Sequence, residues 1–212
     1  IAYQVAKAAK ELKRDMETAL LSNVAKTAGN ATTARKLGGV PTWYETNVDA
    51  GAGGSGAGNG AIRTDGTQRA FTEDQLKGIL VSCYNEGGNP NMIMVNAFNK
   101  QKLSGFTGGS TRFDAAEARR LITSIDVYES DFGTMQVSPN RFIRGANATA
   151  AKIGQDAHIL DMEYWAVSFL RDFSLQTPAQ TADADQRFMV AEYTLESRNE
   201  KASGLITDLT TS

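Results

Sequence analysis

Thiols and imidazoles are nearly missing from this sequence: Cys83 is its one cysteine and His158 its one histidine. That excludes an internal disulfide framework and fits a reducing compartment. It also excludes a Cys/His zinc site, which takes about four such ligands. No apolar run approaches the roughly 18 residues that a helical membrane span requires. Nor is there a surplus of positive charge. A formal charge of −2 argues against a chain whose main task is gripping nucleic acid, which needs clustered cations to neutralise phosphates. What remains is ordinary globular composition, 41% hydrophobic and 22% charged, in a chain long enough to bury one large core or two modest ones.

Catalytic patterns are missing as well. No G-x-S-x-G elbow occurs, and no Lys-Ser or Lys-Thr pair follows a glycine loop. His158 lies in the alternating segment Asp156-Ala157-His158-Ile159-Leu160 and reads as a strand histidine with one face exposed. Cys83 falls on the apolar side of a predicted helix and reads as a small buried hydrophobe. Gly51-Ala52-Gly53-Gly54-Ser55-Gly56 matches G-x-G-x-x-G. However, Thr46-Asn47-Val48-Asp49 before it is not an apolar strand, and Gly58-Asn59-Gly60 after it does not open a helix, so the dinucleotide fingerprint lacks its context. An enzyme with a glycine-rich cofactor loop is therefore a minor alternative. Asp126, Glu129 and Asp131 could hold a hard cation, but they straddle a predicted turn, where Asp is favoured for bonding to backbone. No catalytic, metal or cofactor-binding residue is assigned. Asn30-Ala31-Thr32 and Asn147-Ala148-Thr149 match the glycosylation pattern without a secretory signal.

The elements that are present mix helix and strand. Val5, Ala8, Ala9, Leu12, Met16, Ala19, Leu20 and Val24 recur at helical spacing and predict one long amphipathic helix over Ile1 to Asn23. It has no initiator Met and no cap before it, from which a truncated chain is expected. Pro41-Thr42-Trp43-Tyr44 predicts a packed aromatic loop. From Gly51 to Gly60 six of ten residues are glycine, which predicts a segment that adds nothing to a core. Phe71-Thr72 with Gln75 and Leu76 forms a capping box and staple for a helix that buries Leu76, Ile79, Leu80 and Cys83 and stops at Gly87-Gly88. Met92 to Val95 predicts a buried strand, and Asn96 caps a short helix through Leu103. Leu121, Thr123, Ile125 and Val127 alternate up to the turn Ser130-Asp131-Phe132-Gly133, and Met135 and Val137 follow it, which predicts a hairpin. Trp165, Val167 and Phe169, then Met189, Ala191, Tyr193 and Leu195, predict two long strands, each with a buried face. Thr177 to Gln186 reads as a surface connection between them. Helices and strands do not alternate regularly, which favours an α+β fold over a doubly wound parallel sheet.

Three stretches carry a resemblance. They are Tyr3-Gln4-Val5-Ala6-Lys7 through Lys10-Glu11-Leu12-Lys13-Arg14-Asp15-Met16-Glu17; Val127-Tyr128-Glu129-Ser130-Asp131-Phe132-Gly133 with Asn140-Arg141; and Val190-Ala191-Glu192-Tyr193-Thr194-Leu195-Glu196 with Asn199-Glu200. In order and spacing the chain resembles the major head proteins of one group of tailed bacteriophages, within the wider Hong-Kong-97-type capsid fold. The resemblance implies that Ile1 to Val24 is a spine helix and that Trp165 to Phe173 and Phe188 to Glu196 are long peripheral strands. Residues 1–33 and 155–200 would form a peripheral domain and 34–154 an inserted mixed α/β axial domain, to which the tail 201–212 returns. The glycine-rich loop is expected to project from the axial domain, free to adapt to unlike neighbours.

The implied function is a structural shell subunit that self-assembles into the icosahedral head enclosing the phage genome. Its partners would be copies of itself, in pentamers and hexamers of the full-length protein, and other phage head proteins. Specific nucleic-acid recognition, a membrane partner and a cofactor are not expected. Candidate inter-subunit contacts are Lys7, Lys10, Arg14 and Glu17 on the helix and Gly51, Gly54 and Gly58 in the loop. The location implied is the virion, and the host cytoplasm during assembly. The arm and extended loop that precede the spine helix in such proteins are absent, so this chain is expected to be monomeric or weakly associating. An encapsulin-like nanocompartment shell is the alternative within the same fold.

Overall fold

A computed structural model describes residues 2–106, 126–143, 153–179 and 186–211. Its centre is a mixed six-stranded sheet. The strands are β1 (Val48–Asp49), β2 (Met92–Val95), β3 (Val127–Ser130), β4 (Gly133–Pro139), β5 (Ala157–Leu160) and, near the end of the chain, β8 (Gly204–Ile206), in the order β1-β8-β5-β2-β4-β3. β2 runs parallel to β4 and antiparallel to β5, and β8 lies between β5 and β1. β3 and β4 are the expected hairpin around Asp131-Phe132. Leu121, Thr123 and Ile125 lie outside the described residues, as do Asn147-Ala148-Thr149 and 180–185 of the surface connection.

Each face of this sheet has its own core. Helix α2 (Glu73–Asn85) starts at the capping box: the Gln75 amide donates to Thr72 Oγ1, and the Thr72 amide donates to Gln75 Oε1. Its apolar face packs Leu76, Ile79, Leu80 and Cys83 against Ile93, Val95, Ile159 and Ile206. Helix α3 (Ala97–Ser104) is capped by Asn96, whose Oδ1 accepts from the Asn99 amide at 2.6 Å, and adds Leu103 to the same core. The pleat turns alternate residues to the other face. There Leu160 and Leu205 meet Val40, Tyr44 and Leu195, with Met92, Met94, Trp43 and Trp165 packed around them. Pro41 to Tyr44 is the packed aromatic loop expected, with Val40–Thr42 coiled into a 3-10 turn and Tyr44 fully buried.

The remaining elements stand further out. Helix α1 (Ala2–Leu21) buries only Met16 and Leu21 and rests against the 3-10 turn and a two-stranded ribbon. That ribbon pairs β6 (Trp165–Gln176) with β7 (Phe188–Ser197), with register shifts on either side of Arg171. Both long strands form where alternation places them, but the buried face expected of each does not. Val167, Phe169 and Leu175 are exposed, and on β7 Leu195 alone is buried. A two-stranded ribbon has no second sheet of its own to cover it; Trp165 and Leu195 at its base join the core around Tyr44, and α1 rests against β7.

Candidate assembly surfaces and the internal ion cluster

The glycine-rich segment corrects the expectation of a free, projecting loop. Its backbone amides are tied into its own chain: Gly51 donates to Asp208 Oδ2 at 3.0 Å, Gly58 to the Tyr44 carbonyl at 3.1 Å and Gly60 to the Thr42 carbonyl at 2.9 Å. Gly51 and Gly58 are buried and Gly54 is half-buried. At Gly51 the reason for glycine is steric, because a Cβ would sit 2.1 Å from the Thr67 carbonyl oxygen. Glycine here allows close approach of two backbones. The segment also fails as a cofactor loop, since it leads into a bridge between Ser55 and Thr64 and no helix begins before Glu73.

Beneath that segment lies a charged cluster that the sequence pattern does not announce. Arg63 is buried, and its guanidinium contacts Asp156 Oδ1 at 2.8 Å, Asp65 Oδ1 at 2.7 Å and Asp208 Oδ1 at 3.4 Å. The Arg63 amide donates to Asn23 Oδ1 at 3.3 Å, joining the end of α1 to the cluster. One cation thus faces three carboxylates, two of them fully buried. Burial pushes the Asp156 carboxyl up to about 7 against the pull of Arg63. Asp208 has a left-handed backbone, φ 60°, a conformation that Asp tolerates better than most residues.

His158 is a strand residue as expected, but both faces of β5 are covered and its ring is fully buried, so the exposed face is a correction. It stacks on Tyr44 with ring centroids 5.9 Å apart. Burial, reinforced by the positive charge of Arg63, lowers its pKa to about 3 and keeps it neutral. The Cys83 thiol is buried under α2 and pushed up to about 12 by burial, which leaves it inert near neutral pH. Glu129 and Asp131 flank the hairpin turn and Asp126 pairs with Lys100 at 3.2 Å; no metal-holding group of carboxylates occurs among the described residues.

Of the helix candidates, Lys7, Lys10 and Arg14 are exposed and Glu17 is half-buried. The structure brings Arg14 and Glu17 together with residues from the far end of β4. They line an open groove of about 380 Å³ with Lys13, Asn140, Arg141 and Phe142. Asn140 Nδ2 donates to Glu17 Oε1 at 2.7 Å, which fixes α1 to the end of the sheet. Lys7 and Lys10 lie outside this groove, and Lys7 sits 3.9 Å from Glu11. Gly51, Gly54 and Gly58 are not part of it either. Lys13 and Arg14 are neighbours in sequence, but nothing in the sequence brings Arg141 to them across more than a hundred residues.

The sequence model of the SU10 major capsid protein family matches residues 1–210. The chain belongs to that family. A major capsid protein is a structural component of the virion head and not an enzyme, in keeping with the buried, neutral state of His158 and Cys83. No curated protein sequence matches the chain. Among solved structures it is similar to the holo-SrpI encapsulin complex from Synechococcus elongatus PCC 7942, at 12% identity and a TM-score of 0.41, over 68% of this chain and 51% of that one. The chain therefore spans about half the length of that encapsulin chain. For a major capsid protein the surfaces of interest are those left open to other copies. Among the described residues the exposed surfaces include the outer faces of α1, the groove beside it and the β6–β7 ribbon.

Proposed function

We propose that the complete gene product self-assembles, through pentamers and hexamers, into the head shell of a tailed phage and encloses its genome without reading its sequence. The match to a major capsid protein family across 1–210 carries this reading. We also propose the Hong-Kong-97-type arrangement, with α1 as the spine, the β6–β7 ribbon as the peripheral strands and the six-stranded sheet as the axial part. Two separate sheets support that division. The pairing of β5 and β8 inside the large sheet supports boundaries near residue 161 and again near residue 200. Subunit contacts are proposed on the exposed α1 side chains Lys7, Lys10 and Arg14, and at the half-buried Glu17 beside them. Electron microscopy of the complete gene product tests the function: closed polyhedral shells are expected, and tubes or monodisperse monomers would overturn it. Shells purified without nucleic acid, filled instead with protein, would point to a nanocompartment.

A further inference from the structure

The groove at the middle of α1 is a built site with an unbalanced charge. Lys13 and Arg14 reach it from the helix, and Arg141 reaches it from the loop after β4. Its one carboxylate, Glu17, is engaged by the Asn140 amide, and Asn140 Oδ1 accepts from the Phe142 amide at 2.8 Å, which fixes the turn that carries Arg141. Among the described residues none of the three cations makes an ion pair. Lys13 Nζ lies over the Phe173 ring of β6 at 5.8 Å, and the groove as a whole sets three cations against one engaged carboxylate.

The opposite end of β4 has the opposite sign. The hairpin turn presents Glu129 and Asp131, both exposed, whereas the charge of Asp126 is taken up by Lys100. This end is braced as well. Phe132 packs on Tyr84 of α2 with centroids 4.9 Å apart, and Ser130 Oγ donates to the Gly133 carbonyl at 3.0 Å. The seven residues of β4 separate the two ends, roughly 20 Å of rigid strand. The acidic turn therefore cannot reach the basic groove of its own copy, but it can reach that of another.

We propose that the Glu129–Asp131 turn of one copy docks into the Lys13–Arg14–Arg141 groove of the next, as a head-to-tail contact within the capsomer. It rests on the shell reading above and names a surface for it. A contact between two different patches repeats around a ring when its rotation closes, which is the geometry that five- and six-membered capsomers need. Complementary charge at its rim also steers encounter and rejects wrong orientations.

Charge reversal in the complete gene product tests the contact. Three variants are compared with wild type by analytical ultracentrifugation and electron microscopy: K13E/R14E/R141E, E129K/D131K, and all five substitutions together. Each one-sided reversal is expected to lower the yield of capsomers and shells at least tenfold, and the combined variant should recover at least half of the wild-type yield. The residues are exposed or at the rim, and circular dichroism confirms folding. Should a reversal prevent folding, the neutralising set E129Q/D131N must still slow wild-type assembly, and normal assembly by that set would overturn the contact. Wild-type yield from either one-sided reversal, or a combined variant no better than its parents, overturns the contact while leaving the shell reading intact. Normal shells with reduced DNA retention in the groove variant would assign the groove to phosphates and also overturn it. Wild-type protein that forms no oligomer at all overturns the shell reading and this contact with it.

Discussion

Replacing Arg63 with methionine should be among the most damaging single changes available to this fold. The substitution keeps an apolar stem of similar reach and removes the charge. Two fully buried carboxylates, Asp156 and Asp208, then lose the cation they share, and the half-exposed Asp65 loses its 2.7 Å contact with it. Breaking a buried ion pair by removing one member costs about 3–5 kcal/mol, because the survivor stays desolvated and uncompensated. Asp208 keeps the Gly51 amide at 3.0 Å, which holds the expected loss near the middle of that range, about 4 kcal/mol. For a domain stabilised by about 5–15 kcal/mol this is a large fraction. With a urea dependence of about 2 kcal/mol per molar, the midpoint should fall by roughly 2 M. Tryptophan fluorescence is suited to the measurement, since Trp43 and Trp165 both pack against the core that contains Tyr44.

The sign of the pH dependence follows from Asp156. Its folded pKa, about 7, lies above the ordinary 3.8. The native state therefore holds a proton that the unfolded chain has released, and this contribution to stability is lost as pH rises from 3.8 to 7. Without Arg63 the folded pKa rises further, so R63M should lose more stability than wild type between pH 5 and pH 8. Adding D156N and D208N to R63M should restore most of the loss by removing the charges left behind. A loss under 1 kcal/mol, or no rescue by the two asparagines, would refute a cluster that works by charge compensation.

His158→Phe should flatten the acid side of the stability curve. With the folded pKa near 3 against 6.5, wild type loses stability as pH falls from 6.5 to 3, by at most about 1.4 kcal/mol per pH unit. The phenyl ring removes that dependence, and an unchanged slope in urea titrations at pH 4 to 6.5 would contradict a buried neutral imidazole. Gly51→Ala should destabilise by more than 2 kcal/mol or so, since its methyl would lie 2.1 Å from the Thr67 carbonyl. Gly53→Ala, which meets nothing within 4 Å at φ +83°, should cost only about 1 kcal/mol; equal losses in thermal melts would show that the loop packs no more tightly at Gly51 than at Gly53. Thr72→Ala should cost about 1 kcal/mol through the lost cap of α2, and a variant as stable as wild type would contradict the capping box.

What could be read from sequence was local. Thr72 and Gln75 lie three residues apart and cap the same helix, and Asn96 caps α3 from the neighbouring position, so both signals survive without knowledge of the fold. The hairpin was legible for the same reason, its turn and both strands lying between Val127 and Pro139. The ion cluster was not, because Arg63, Asp156 and Asp208 are brought together over separations of 93 and 145 residues. The groove failed likewise, its helix and its Arg141 side meeting only through tertiary structure. The glycine run misled for a different reason. Glycine permits both a flexible tether and the close approach of two backbones, and composition cannot choose between them. The choice is made at Asp208, a distant residue whose carboxylate receives the Gly51 amide.

The β6–β7 ribbon marks a second kind of limit. Strict alternation of Trp165, Val167 and Phe169 determines which side of the strand is apolar, and the strands form on that register. Burial is a separate matter, since it requires a second layer, and alternation says nothing about which chain supplies it. For a monomeric domain the distinction is idle, because every layer must come from the same chain. For a subunit of a major capsid protein family it is not, and an apolar face left at 38% exposure on Val167 and 42% on Phe169 is compatible with a well-formed subunit. Periodicity in such sequences should accordingly be read as a statement about faces, with their coverage decided from the structure of the assembly.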